Sequence, residues 1–375
     1  MKRVLLALWM PAVAAAEPRP LFDGMSLRGW AHEGAATFRA AGGVLRTDGK
    51  AHEGNWLRSE NEFEDFRLRF EYKLDQWAEA AVFLRAPRTA RPHHAGVTIF
   101  LGHDFHKKPS PWTTGAVAGA LAPQKWPGES WGVWHAMEAE LRGSRLRVKI
   151  DGSLVQETDL DAIPATAARL RRGYIGFADQ GYGWEIRKVE IEDFGSPMKF
   201  VDLLASGTLD GWQRRGESGQ WRLRDGVLEG ADGHSILYAP QVFDDFEFTA
   251  CVRSHGRTNS GVFVRGQPAG AWRGFEIQIY SPVDAVYPTG SIYGKVRSSY
   301  DADLEGKWFL LQIRVVGNRV DVWLDGRHIA GYGGLSGDES KAGRIGFQIH
   351  LEKTRVEFRD VRVRPIPQPA AGSGL

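Results

Sequence analysis

Asp65-Phe66-Arg67-Leu68-Arg69-Phe70-Glu71-Tyr72 alternates apolar and charged side chains, and Asp245-Phe246-Glu247-Phe248-Thr249-Ala250-Cys251-Val252 repeats the pattern. Successive side chains of an extended chain point to opposite faces, so a period of two marks a half-buried β-strand, with one face for a core and one for solvent. The same strand, opened by the same Asp-Phe pair, occurs twice. This predicts two copies of one all-β unit.

Further matches keep their order at an offset of roughly 170 to 183 residues, which is a whole domain and not the unit of a solenoid. Gly29-Trp30 answers Gly211-Trp212, and Gly43-Val44-Leu45 answers Gly226-Val227-Leu228. Val82-Phe83-Leu84-Arg85 answers Val262-Phe263-Val264-Arg265, Thr114-Gly115 answers Thr289-Gly290, and Trp134 answers Trp308. Asp151-Gly152 pairs with Asp325-Gly326, and Ile175-Gly176-Phe177 with Ile345-Gly346-Phe347. Both Asp-Gly pairs follow alternating strands, and Asp-Gly suits the positive φ of a type I′ hairpin turn. Helical periodicity is confined to Ala162–Leu170, a candidate short helix. Many short strands with regular turn signals predict an all-β fold class, two tandem jelly-roll β-sandwich domains.

Lys2-Arg3, the apolar stretch Val4–Trp9 and Ala14-Ala15-Ala16 before Glu17 have the form of an export signal with an A-x-A cleavage site. Residues 1–16 are therefore expected to be a signal peptide, and the protein periplasmic or secreted. The apolar stretch, interrupted soon after by Pro11, is far shorter than the ~20 residues that span a bilayer. The first domain is expected over 17–195 and the second over 196–366, divided near Gly195-Ser196-Pro197. The tail 367–375 carries no period and is expected to be disordered.

The chain has 375 residues, enough for two domains that each bury a core. Its 48 Lys and Arg against 46 Asp and Glu, without a polybasic run, argue against nucleic acid or anionic membrane as partner. The lone Cys251 permits no internal disulfide, and no disulfide-linked partner is expected. Fourteen Trp and 45 Gly suit packed sheets with many turns, and exposed rings suit stacking on sugars.

Most catalytic signatures are missing. There is no Cys pair, no H-E-x-x-H and no phosphate-binding glycine loop. His103-x-x-His106 has metal-ligand spacing but no further fixed ligand, and it reads chiefly as a solvated loop, as does His93-His94. Glu190, Glu192 and Asp193 have the spacing of paired glycosidase carboxylates, yet at a strand end matching Arg362–Arg364 they read as a solvated face. The better candidate is Phe275-Glu276-Ile277-Gln278-Ile279, where Glu276 and Gln278 share one face and the apolar residues the other. Asn259, Arg265 and His350 stand at neighbouring strand ends. Arg265 also has a structural reading as a packed, ion-paired arginine, because Arg85 holds its place in the first copy. Trp272, Tyr280, Tyr287, Tyr293 and Tyr300 are candidate rings for stacking on a pyranose.

These pieces together resemble the 3-keto-disaccharide hydrolase domain family, which is similar in fold to concanavalin-A-like lectins and glucanases. Leu21-Phe22-Asp23-Gly24 and Gly29-Trp30 carry the resemblance in the first copy. Asn259-Ser260-Gly261, Gly274-Phe275-Glu276-Ile277-Gln278, Thr289-Gly290-Ser291-Ile292-Tyr293-Gly294 and Gly346-Phe347-Gln348 with His350 carry it in the second. It implies action on glycosides oxidised at C3: the ketone acidifies the C2 hydrogen, a base removes it, the C1 substituent leaves, and water then adds. Such a route needs one base, an oxyanion stabiliser and, in one form, a divalent metal ion. Glu276 and His350 are then the catalytic candidates, and Asn259, Arg265, Gln278, Trp272 and Tyr293 the substrate-binding ones; the metal ligands stay unassigned. Ser281 replaces the family's usual Asp, and Ile349 and Leu351 replace the Asp and Gly that flank its His. In the first copy Glu79-Ala80-Ala81 replaces Asn-Ser-Gly and Gln180 stands near the histidine's place, so that copy is expected to be non-catalytic. The alternative is a non-catalytic carbohydrate-binding protein of the cell envelope.

Overall fold

The computed structural model describes residues 17–49, 55–89, 91–102, 108–128, 130–270, 273–282, 284–300 and 304–367. The expected signal peptide, nearly all of the tail, the His103-x-x-His106 motif and Trp272 lie outside them.

The period-two strands set the layers. Phe66, Leu68, Phe70 and Tyr72 of strand Asp65–Leu74 point into one core with Val82, Leu84, Ile99 and Phe177 from the facing sheet. Phe246, Phe248, Ala250 and Val252 do the same in a second core with Val262, Ile277 and Phe347. Each described copy is a sandwich of antiparallel sheets, as the alternation predicts. In the first copy one sheet runs in the order Ser153–Asp159, Arg145–Ile150, His135–Arg142, Asp65–Leu74, Trp184–Gly195, Val44–Thr47, Arg39–Ala41. The other runs Trp30–Glu33, Trp56–Phe63, Gly173–Ala178, Glu79–Ala86, Val97–Gly102. In the second copy the long strands Val227–Phe243 and Gly343–Pro365 bend through both layers and join them into one hydrogen-bonded sheet. Both Asp-Gly pairs take positive φ at each residue, with Asp151 at 49° and Asp325 at 46°. That is the type I′ geometry the sequence predicts.

The expected helix at Ala162–Leu170 is absent. Leu160–Ala162 forms a single 3-10 turn and Ile163 is extended, because Pro164 disfavours the helical region for the residue before it. The only α-helix among the described residues is the short Pro92–Ala95. No helix of the described chain is long and apolar enough to cross a membrane.

The copies are docked through buried polar contacts. Arg88 forks onto Asp360 at 3.0 and 2.7 Å, and Arg362 pairs with Glu62. The Gln312 amide donates to the Ala168 carbonyl at 2.9 Å, and Arg91 donates to the Tyr300 hydroxyl at 2.8 Å. Cys251 is buried there among Ala95, Leu310, Leu170 and Trp308, and burial pushes its thiol pKa up. It acts as a small apolar residue. Tyr300, expected as a sugar-stacking ring, belongs to this interface and not to an open site.

Candidate active site

Four neighbouring strands of the second copy, Val227–Phe243, Gly343–Pro365, Asn259–Gly266 and Phe275–Tyr280, place their non-core side chains in three rows. The pairing registers give His234–His350–Asn259–Tyr280, then Ile236–Gln348–Gly261–Gln278, then Tyr238–Gly346–Phe263–Glu276. Side chains two apart on a strand share a face, so Glu276 and Gln278 stand together as their spacing predicts, and the registers bring Asn259 and His350 to the same face. A cavity of about 440 Å³ lies over this face, lined by those four with His234, Phe263, Arg273, Gly274, Tyr293 and Gln348. Its size suits a small ligand.

By register alone, Glu276 and His350 are diagonal corners, roughly 14 Å apart along the strands and about 10 Å across them. Glu276 closes much of that gap by leaning over Gly261. A Cβ built on Gly261 would lie 2.4 Å from Glu276 Oε1 and 2.7 Å from its Cγ. Only glycine leaves this space, which accounts for Gly261 in Asn259-Ser260-Gly261. The carboxyl thus reaches the middle row, diagonal to His350 at roughly 8 Å by strand geometry, about the width of one sugar ring plus its contacts.

Each titratable group is tuned by its surroundings. Among the described residues nothing hydrogen-bonds or ion-pairs with the Glu276 carboxyl, and burial raises its pKa to about 8. It is therefore mostly protonated at neutral pH. Burial lowers the pKa of His350, helped by His234, whose ring stacks on it at 4.3 Å, and by Arg273. That imidazole is neutral at pH 7. Gln278 donates to Asn259 Oδ1 at 3.2 Å, which fixes the Asn259 amide. The remaining side-chain oxygens of Gln278 and Gln348 are buried without a partner among the described residues, and such groups are costly unless something satisfies them. At the rim, Tyr293 is 54% exposed and packs against Tyr287 at 5.2 Å. Its loop is stitched to the edge strand by Gly290 N–H to Gln278 O at 2.8 Å and Tyr293 N–H to Glu276 O at 2.9 Å. Gly290, at φ +85° with Ile329 Cδ1 2.1 Å from any added Cβ, makes that turn possible.

Arg265 requires a correction, because it is not in the cavity. It takes φ 53° at a bulge, which breaks the strand's alternation, and is 1% exposed. Its guanidinium donates to the Gly317 carbonyl at 2.8 Å, the Asp244 carbonyl at 3.1 Å and the Asp245 carboxylate at 3.1 Å. Arg85 repeats this with the Glu64 and Gly143 carbonyls and Asp65. Both arginines hold a strand end to two neighbouring loops. Among the acidic residues at the end of the first copy, Glu192 is buried and paired with Arg67 at 2.7 Å, so it belongs to a packed ionic cluster and not to the solvated face expected.

Two polar cavity residues, His234 and Arg273, are not singled out from sequence, and Gln348 enters only through the family resemblance. His234 has a faint signal, the alternation His234-x-Ile236-x-Tyr238, but only the pairing with the last strand brings it to His350. The cavity residues do not fit a divalent metal ion. The two imidazoles stack face to face, Glu276 sits at the far end, and the described residues contain no group of three His, Cys, Asp or Glu placed to share an ion.

The same face of the first copy has a different composition. Register places Thr98 where the second copy has Glu276, Phe100 for Gln278, Ala178 for Gln348 and Glu79 for Asn259. Trp56, Ala81, Phe83, Tyr174 and Ala178 fill the space as an apolar cluster, with Trp56 edge-on to Phe83 at 5.4 Å.

Fold and site together define a tandem jelly-roll protein with one polar cavity on a sheet face of its second copy. The chain belongs to the 3-keto-α-glucoside-1,2-lyase-like domain family, whose profile matches residues 17–192 and again 199–364. The sequence matches no curated protein. Among solved structures it is similar to a chain from Parabacteroides distasonis presumed to be a glycosyl hydrolase, at 14% identity and TM-score 0.42, covering 50% of this chain and 98% of that one. A carbohydrate binding module from Bacillus subtilis aligns at 18% identity and TM-score 0.32, covering 41% and 95%. A Bacillus subtilis protein with a galectin-like fold aligns at 13% and 0.35, covering 45% and 96%.

Proposed function

We propose that the second copy cleaves 3-keto-glycosides by elimination, with His350 as base and Glu276 as acid. The observation that carries this reading is the pairing in one cavity of a carboxyl kept protonated by burial with an imidazole kept neutral. A 3-keto group makes the C2 hydrogen acidic. His350 takes that proton, and the C–H electron pair passes into the C2–C3 enolate. Glu276 donates a hydrogen bond to the developing O3 oxyanion, which its neutral form can do and a carboxylate cannot. When the pair returns to form C1=C2, the C1–O bond breaks and the aglycone leaves with the proton that His350 took from C2, which restores the neutral imidazole. Addition of water across C1=C2 then completes net hydrolysis. Asn259, Gln278 and Gln348 offer fixed amides to the sugar hydroxyls, and Tyr293 a ring at the rim.

The test is release of p-nitrophenol from its 3-keto-glucoside across pH. Activity is expected to rise as His350 loses its proton, below the ordinary histidine range, and to fall as Glu276 ionises near pH 8. No release at any pH would overturn the reading and favour sugar binding without turnover in the same cavity. An exported location is proposed with it, from residues 1–16.

A further inference from the structure

The first copy carries three exposed rings on three loops that meet at one end of its sandwich. Trp77 is 43% exposed, Trp131 50% and Tyr182 41%. Their loops are tied together at Leu74 and Asp75: the Gly132 N–H donates to the Leu74 carbonyl at 2.9 Å and the Asp75 N–H to the Gly183 carbonyl at 3.1 Å. Trp77 lies two residues beyond this junction, Trp131 and Tyr182 one residue from each partner glycine.

Two observations separate these rings from stray surface aromatics. Trp77 takes φ 67°, a left-handed conformation that bulky residues avoid. Such strain persists where a function holds it, and the indole there is 43% exposed. The sister copy keeps one of these two ties but not the rings. There the Gly306 N–H donates to the Ser254 carbonyl at 2.8 Å, which places Glu305 where the first copy has Trp131 and Arg257 where it has Trp77. The loop corresponding to Tyr182 contains Glu352-Lys353. The same frame therefore ends in charges in one copy and in rings in the other.

We propose that this loop end of the first copy is a glycan-binding platform, on which Trp77, Trp131 and Tyr182 stack on pyranose rings. Flat rings supply the apolar contact a sugar face needs. Asp75, paired with Arg46 at 3.0 Å beside them, and Glu185, also paired with Arg46, give the polar rim that orients hydroxyls. The choice of a glycan over a protein partner rests on the glycoside reading of the second copy; the platform itself does not use that copy's cavity. It gives the first copy, whose sheet face is packed with aromatics, a role in holding a polymer.

The test is native affinity electrophoresis of the full chain through gels containing laminarin, xylan, dextran, soluble starch or carboxymethyl cellulose. Retardation by at least one polymer is expected, reduced at least tenfold in apparent affinity by W77A/W131A and unchanged by E276Q. The double variant should keep its p-nitrophenol release from the 3-keto-glucoside, since both rings are surface groups. Circular dichroism of the variant confirms its fold. No retardation by any polymer, or retardation equal in wild type and W77A/W131A, overturns the platform. Loss of retardation in E276Q alone moves glycan binding to the second copy's cavity and overturns it equally. Failure of the elimination reading would instead appear as absent p-nitrophenol release with retardation intact.

Discussion

Replacing Glu276 with Gln should make the protein more stable at alkaline pH and remove the fall in turnover near pH 8, because the Gln amide still donates a hydrogen bond and cannot ionise. The carboxyl sits over Gly261 without a partner, and burial alone raises its pKa from the ordinary 4.5 to about 8. A raised carboxylate pKa means that the folded state holds a proton the unfolded chain releases. Stability from this group is fully present below about pH 4.5 and is lost as pH climbs, with the loss complete above about 8. At about 1.4 kcal/mol per pH unit, complete burial would make the loss roughly 5 kcal/mol. The side chain is partly open to the cavity, so about 2–3 kcal/mol is expected after screening. Gln keeps the shape and cannot ionise. Urea denaturation at pH 5 and pH 9 measures both proteins: wild type should lose about 2–3 kcal/mol more than Glu276→Gln between these values. Parallel pH dependence of the two would refute the argument that the carboxyl is buried and unpaired.

Further outcomes follow from other contacts. Gly261→Ala places a methyl within 2.4 Å of Glu276 Oε1, so the carboxyl must swing away; cleavage should fall at least tenfold with only a small change in melting temperature. Arg265→Ala leaves the Asp245 carboxylate and the carbonyls of Asp244 and Gly317 without their buried donor, and should cost about 3–5 kcal/mol in denaturant titrations. Its kcat per folded molecule should be unchanged, in contrast to a substrate-binding arginine. Arg88→Ala removes the fork on Asp360 at the docking surface between the copies and leaves it Arg362 at 3.9 Å; it should cost about 1–3 kcal/mol, seen as a lower or split melting transition.

The fold was legible because it rests on local periodicity: Phe66-x-Leu68-x-Phe70 and Phe246-x-Phe248 state which face is buried without reference to distant residues. The grouping of Glu276 with Gln278 followed from the same rule. What the sequence hid depends on register and on departures from it. His234 meets His350 only through pairing of strands more than a hundred positions apart. Arg265 looked like a site residue because its strand alternates up to the bulge; its positive φ then turns the guanidinium towards neighbouring loops. Ala162–Leu170 has helical periodicity, yet Pro164 keeps Ile163 extended and no helix forms there. The lean of Glu276 over Gly261 is visible only in three dimensions. The rings Trp77, Trp131 and Tyr182 are separated by long stretches of chain, and only the loop hydrogen bonds bring them together.

The claim that the second copy works by removing the C2 hydrogen can be tested with a 3-keto-glucoside deuterated at C2. Turnover in ordinary water should slow against the protiated substrate, and the recovered sugar should carry hydrogen from solvent at C2, with both effects lost in His350→Gln. Aglycone release that leaves the C2 deuterium in place, at an unchanged rate, would contradict it.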